Sequence, residues 1–205
     1  MSQAPHATDD TSSEARTTEA APTHICPVWM GWLLASPVRR LVERPERLLA
    51  PWLAPGDQVI DVGSAMGFYS LALARLVGPE GRVVALDVQE PMLARLRRRA
   101  DRKGLGGIVE TRLCSQNGLG IEDLEGRAAL VIAIHVVHEM VSPLTVLREC
   151  VASLRPGGHL LIAEPRGHVS PAQLARTLEA ARSLGLNEVQ APSIWRSTCG
   201  MLQRP

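Results

Sequence analysis

Residues 59–68 read VIDVGSAMGF, and this stretch decides the fold. Val59 to Val62 is a branched apolar run with one acid, the composition of a short strand buried on both faces. Gly63 and Gly67 punctuate a loop, and the helix-forming segment FYSLALARLVG follows, stopped at Gly78-Pro79. In a doubly wound sheet such a strand–loop–helix unit opens at the carboxyl edge, where ligands bind. The helix start also offers free N–H groups that suit a carboxylate or a phosphate.

The alternation continues outward from there. RVVALDV is a second strand, and PMLARLRRRADRKG is a helix with Pro91 in its first turn and Gly104 past its end. GIVETRLC is a third strand, and AALVIAIHVV a fourth that is apolar on both faces. The helix PLTVLRECVASLR is expected to end at Pro156-Gly157-Gly158, ahead of the fifth strand HLLIAEP. A helix, SPAQLARTLEAARSLG, precedes two closing strands in NEVQAPS and IWRSTCGMLQ, with no helix between them. The expected fold is therefore α/β: a doubly wound, mostly parallel seven-stranded sheet with a C-terminal antiparallel hairpin. Upstream, residues 1–22 are rich in Ser, Thr, Ala, Asp and Glu and read as a disordered tail. Residues 23–54, broken by Pro27, Pro37, Pro45 and Pro51, read as a helical cap or lid with Trp29 and Trp32 on one face. Residues 55–205 form the ligand-binding domain.

Composition narrows the partners. The chain has 205 residues, enough for one sizeable core, with 22 basic and 21 acidic residues and a formal net charge of +1. That balance gives no global argument for nucleic acid or an anionic membrane surface. Six of the basic residues fall in ARLRRRADRKG, read as the solvated face of a sheet-covering helix. One Tyr, one Phe and four Trp are too few for a base-stacking platform. The four cysteines form no CxxC pair, the N-terminus lacks a signal-peptide pattern, and no apolar run reaches the roughly 18 residues of a span. The expectation is a cytoplasmic protein with no nucleic-acid or membrane partner.

Asp87, at the end of the second strand, is placed to accept both hydroxyls of a ribose. A nucleoside-containing ligand is therefore expected. The dinucleotide fingerprint G-x-G-x-x-G is not met, because Ala65 and Phe68 occupy its second and third glycine places. No Gly-Lys-Ser/Thr follows to make a P-loop. The series Asp61-Val62-Gly63-Ser64-Ala65-Met66-Gly67 instead resembles motif I of the class I S-adenosylmethionine-dependent methyltransferases, small-molecule type. LAPGDQVIDVG, GRVVALDVQEPML and VLRECVASLRPGGHLLIAEP resemble the same family, and the resemblance runs from about Leu48 to the C-terminus.

The resemblance implies S-adenosyl-L-methionine as cofactor and methyl transfer to a small-molecule acceptor as activity. It implies that Gly63, Ser64, Ala65 and Gly67 line the methionine part. Asp61 would help hold the ammonium group and Asp87 the ribose. Val88 would pack on adenine, with Cys114 and Ser115 near the adenine edge. His135 would face the methionine end. Ala65 departs from the G-x-G-x-G pattern; one methyl there is expected to be harmless, since alanine tolerates most conformations other than positive φ. Ser115 stands where many relatives carry an acid.

Catalytic candidates lie after the fourth and fifth strands, in IHVVHEM and EPRGHVS. His138 is the first choice for a general base because imidazole titrates near neutral pH. Glu139 would orient it or bind substrate, and His168 is the second choice. Glu164 and Arg166 lie in the same segment, Glu164 with a backbone-binding role as an alternative. Two metal readings stay open, His135/His138/His168 and His24/Cys26. A non-catalytic cofactor-binding sensor or partner subunit and an NAD-dependent oxidoreductase are the other function classes.

Overall fold

The computed structural model describes residues 43–205. The expected tail and most of the cap, with His24, Cys26, Trp29 and Trp32, lie outside the described residues. Of the cap, two short pieces are seen, helix α1 (Pro45–Leu49) and a 3-10 turn (Ala50–Trp52).

Seven strands form one sheet in the order β3-β2-β1-β4-β5-β7-β6. They are β1 (Gln58–Val62), β2 (Arg82–Asp87), β3 (Val109–Leu113), β4 (Ala128–Ile134), β5 (Leu154–Pro165), β6 (Asn187–Val189) and β7 (Ser197–Gln203). Strands β1 to β5 pair in parallel, while β7 runs antiparallel to both β5 and β6. Strand order reverses between β1 and β4, which places a crevice above their carboxyl ends.

The helices cover both faces, so the strands alternate between two cores rather than between core and water. Ile60 and Val62 join the core beneath α4 (Pro143–Ser153) and α5 (Pro171–Ser183), through Val146, Leu147, Leu174 and Leu178. Val59, Val83 and Ile132 join the opposite core, beneath α2 (Ser70–Val77) and α3 (Glu90–Asp101), through Leu71, Val77 and Leu96. All seven residues of β4 are buried.

One boundary differs from the sequence reading. The fourth helix stops at Ser153 and the chain turns at once into β5, pairing Leu154 with Ala128 ahead of a bulge. Arg155 precedes Pro156, which disfavours a helical conformation at the residue before it, and its guanidinium instead reaches buried Asp57 at 2.7 Å. Asp57 also accepts the Ala54 N–H at 2.8 Å.

Candidate active site

The loop after β1 is drawn over the end of β2. The N–H groups of Gly63 and Ser64 both donate to the Leu86 carbonyl, at 2.9 and 2.8 Å. The Ala65 N–H donates to Asp87 Oδ2 at 2.8 Å, and the Gln89 N–H to Asp87 Oδ1 at 2.8 Å. Arg99 on α3 bonds the Met66 carbonyl. Gly63 has φ of 73°, and a Cβ there would lie 2.5 Å from Val136 Cγ2. Gly67 has φ of 78° and packs against the Leu96 side chain with no space for a methyl group. Both glycines are therefore required by backbone geometry and by close packing together.

The reading of Ala65 as harmless rests on alanine tolerating most conformations other than positive φ, and that is the one it adopts here. Its φ is 46°, in the left-handed region. That conformation costs an L-residue about 1 kcal/mol or more, and the bond from its N–H to Asp87 helps hold it.

Acidic groups surround the crevice. Asp61 is 3% exposed, and its Oδ2 accepts the Ser70 hydroxyl at 2.5 Å. Burial pushes its carboxyl up to about 7, against the opposing Ser70 bond, and the nearby Asp87 charge adds to the rise. Burial also raises Asp87, despite the backbone N–H groups that favour its ionised form. Glu139 is raised by burial, with the Asp87 and Glu164 charges acting in the same direction. Each of these carboxylates lacks a neutralising Arg or Lys in the site among the described residues. A cation in the crevice would favour their charged forms. The Ser64 hydroxyl is buried with no hydrogen-bond partner. Cys114 follows β3, its thiol pushed up to about 11 chiefly by burial, and so stays protonated near neutral pH. Ser115 is exposed and closes a turn onto Gly118, and Val88 follows Asp87 at the rim.

The second half of the site lies at the ends of β4 and β5. His138 sits on a 3-10 turn (Val137–Glu139), and its Nδ1 is 2.6 Å from Glu164 Oε2. The second oxygen of Glu164 accepts the His138 backbone N–H at 3.2 Å. A carboxylate partner makes Nδ1 the donor, so the imidazole lone pair lies on Nε2. The Glu164 bond raises the His138 pKa above its ordinary value, outweighing burial. The ring of His168 meets that of His138 edge to face at 5.0 Å. A capping box at Ser170 and Gln173 fixes the turn that carries His168.

The sequence leaves Glu139 either to orient His138 or to bind substrate; the orienting contact belongs to Glu164. Glu139 Oε1 stays 3.9 Å from His138 Nε2. Glu164 is 3% exposed and faces His138 because β4 and β5 are paired neighbours. The sequence signal was present, an acid at the end of β5, but the contact depends on register. His135 takes φ of 60°, and its Nε2 lies 2.7 Å from Ser197 Oγ on β7. It is thus tied to the hairpin side, which the sequence did not reveal. Gln116 was also missed: its amide donates to the Glu139 carbonyl, and its own carbonyl accepts the Val141 and Ser142 N–H groups. The histidine metal reading gains no support, since no group of three or more metal-ligating side chains occurs among the described residues.

Comparison with known proteins agrees with this arrangement. The profile of the family described as "Methyltransferase domain" matches residues 53–202. The chain is 36% identical over 116 residues to the ribosomal protein L11 methyltransferase of Pelotomaculum thermopropionicum, covering 56% of this chain and 34% of that one. It is 28% identical over 159 residues to the arsenite methyltransferase of Aquipseudomonas alcaligenes, covering 75% of this chain and 46% of that one. The chain thus spans between a third and a half of the length of these relatives. The solved structure of a SAM dependent methyltransferase from Aquifex aeolicus shares the fold, with a TM-score of 0.71 at 23% identity, over 86% of this chain and 97% of that one.

Two outcomes follow from the loop. Replacing Ala65 with Gly relieves the positive φ and should raise stability by about 0.5–1 kcal/mol, read as a higher urea midpoint with unchanged slope. A lower midpoint would show that the loop is not strained. The second concerns Asp61. Its folded pKa of about 7 lies above the unfolded value, so folding takes up a proton and stability falls as pH rises from about 4 through 7. Asp61→Asn removes this loss, so its urea midpoint should gain on the wild type between pH 5 and pH 8. A constant difference across that range would contradict the assignment.

The strand order, the glycine loop answered by a strand-end carboxylate and the profile match agree: the chain belongs to the class I S-adenosylmethionine-dependent methyltransferase family.

Proposed function

We propose that the chain transfers a methyl group from S-adenosyl-L-methionine to a small-molecule acceptor, with His138 as general base and Glu164 as the group that orients it. The observation that carries the reading is the acidic crevice beside a histidine–carboxylate pair. Asp61, Asp87 and Glu139 bring to the crevice three carboxyl groups whose charged forms a cation would favour, a setting that disfavours the phosphates of a dinucleotide. The chemistry that the cofactor supplies when bound is a methyl group on a positively charged sulfur.

The residues present fit that group. Asp87 keeps lone pairs on both oxygens beyond those used by Ala65 and Gln89, and would take the ribose hydroxyls. The partnerless Ser64 hydroxyl and the loop from Gly63 through Ala65 to Gly67 would line the methionine part, with Asp61 beneath. Val88, Cys114 and Ser115 would border the adenine. His135, held by Ser197, would face the methionine end.

At the acceptor end, His138 Nε2 is the open lone pair. Glu164 fixes the tautomer and stabilises the imidazolium formed when His138 takes the acceptor's proton. His168 would flank the acceptor and Glu139 would hold it or its proton. The relatives named above act on a protein and on arsenite by their titles, so relatedness leaves the acceptor class open. A small acceptor is supported by the short connections after β4 (the 3-10 turn and one helix) and β5 (one helix), with no added subdomain among the described residues. A cytoplasmic setting without a nucleic-acid or membrane partner belongs to the same reading; no described helix is long and apolar enough to cross a membrane.

The test is the titration of His138. Its NMR-detected pKa should lie above 6.5 in the wild type and fall in Glu164→Gln, because the raising charge is lost. Labelled-methyl transfer to a panel of hydroxyl acceptors should show a limb rising with pH that moves down with it. His138→Ala should slow transfer about 100-fold while leaving the cofactor Kd within about twofold. A pH limb that Glu164→Gln leaves in place would remove His138 from the base role.

A further inference from the structure

Beyond the base lies a corner formed by Arg166, just after β5, and by Trp195 and Arg196, just before β7. Trp195 is 57% exposed, a large area for an indole to leave in water. The Arg196 guanidinium lies over its ring, 5.4 Å from the centroid. Arg196 adopts φ of 56°, a left-handed conformation that an arginine enters only at an energetic cost. Strain of this kind persists where surroundings over-determine it, as at ligand clamps.

The surroundings are visible here. The Arg166 N–H donates to the Arg196 carbonyl at 2.8 Å, and Arg166 Nε donates to the Ser197 carbonyl at 3.0 Å. These bonds hold the Arg166 side chain against the backbone next to Arg196. Among the described residues neither guanidinium forms an ion pair. Two guanidiniums without acidic partners at one corner suit an anion. Arginine also presents a planar fork suited to carboxylate or phosphate, and stacks with aromatic faces. The corner is continuous with the base: Arg166 lies two residues after Glu164 and two before His168, and Ser197 bonds His135.

We infer that Arg166, Trp195 and Arg196 form the acceptor-recognition edge, and that the acceptor is a planar aromatic ring bearing a carboxylate or phosphate. Trp195 takes the ring and the two guanidiniums take the anion, which turns the ring's nucleophilic substituent toward His138. This deepens the methyl-transfer reading and rests on it.

The test uses 2-naphthoate, 2-naphthyl phosphate and the neutral 2-naphthamide, titrated calorimetrically into the chain with and without S-adenosylhomocysteine. At least one anion should bind about 10-fold more tightly than the amide, and the tighter of the two names the anionic group. Arg166→Gln and Arg196→Gly should each remove most of that preference. The glycine suits the left-handed φ, so the corner is expected to keep its shape. Trp195→Ala should weaken acid and amide by similar factors, and all three variants should bind S-adenosylhomocysteine as the wild type does. Equal binding of acid and amide, binding of neither, or a preference that survives both arginine changes would overturn the inference. Failure of S-adenosylhomocysteine to bind the wild type would instead count against the methyl-transfer reading.

Discussion

One carboxylate organises the crevice. Asp87 ends β2, accepts the Ala65 N–H on one oxygen and the Gln89 N–H on the other. It thereby fixes the loop after β1 to the turn after β2, the two segments that bound the crevice on one side. Its charge reaches further. It adds to the rise that burial chiefly causes in the carboxyls of Asp61 beneath the loop and Glu139 across the crevice. Loop geometry and part of the crevice's electrostatics thus meet at one side chain, and both require the parallel register that pairs β1 with β2.

The site's two ends use opposite arrangements. At the β1–β2 end, acids stand close together in a nearly dry setting, and the electrostatic cost is relieved by a cation. At the β4–β5 end, an acid is matched with a histidine, so that Glu164 raises the basicity of His138. Beyond it stand two guanidiniums without acidic partners among the described residues. The sequence of charges along the carboxyl edge runs from negative, through a proton-accepting pair, to positive. Such an order suits a cationic donor, a proton transfer and an anionic acceptor in that spatial order.

Much of this was legible in the sequence, for physical reasons. The strands read cleanly because burial on both faces demands continuous apolar runs, as in β4, and the helices because Pro and Gly mark their ends. Asp61, Asp87 and the glycines were legible because a tight loop at a strand end restricts residue type. What depends on which strands neighbour each other was less legible. Glu164 meets His138 only through the pairing of β4 with β5, and Ser197 meets His135 only through the hairpin. Backbone strain was also hidden: Ala65, His135 and Arg196 look ordinary in the sequence, yet each adopts positive φ. The early start of β5 brings Arg155 to Asp57, a pairing between residues far apart in the chain that no local pattern announces.

The central claim is that the Asp87 crevice holds an adenosyl sulfonium. Calorimetric titration of S-adenosylmethionine and of NAD into the wild type and Asp87→Ala tests it most directly. The account predicts that the wild type binds S-adenosylmethionine in preference to NAD, and that Asp87→Ala weakens this binding at least about 10-fold by removing paired hydrogen bonds to a charged acceptor. Preference for NAD, or an affinity for S-adenosylmethionine indifferent to Asp87, would contradict it.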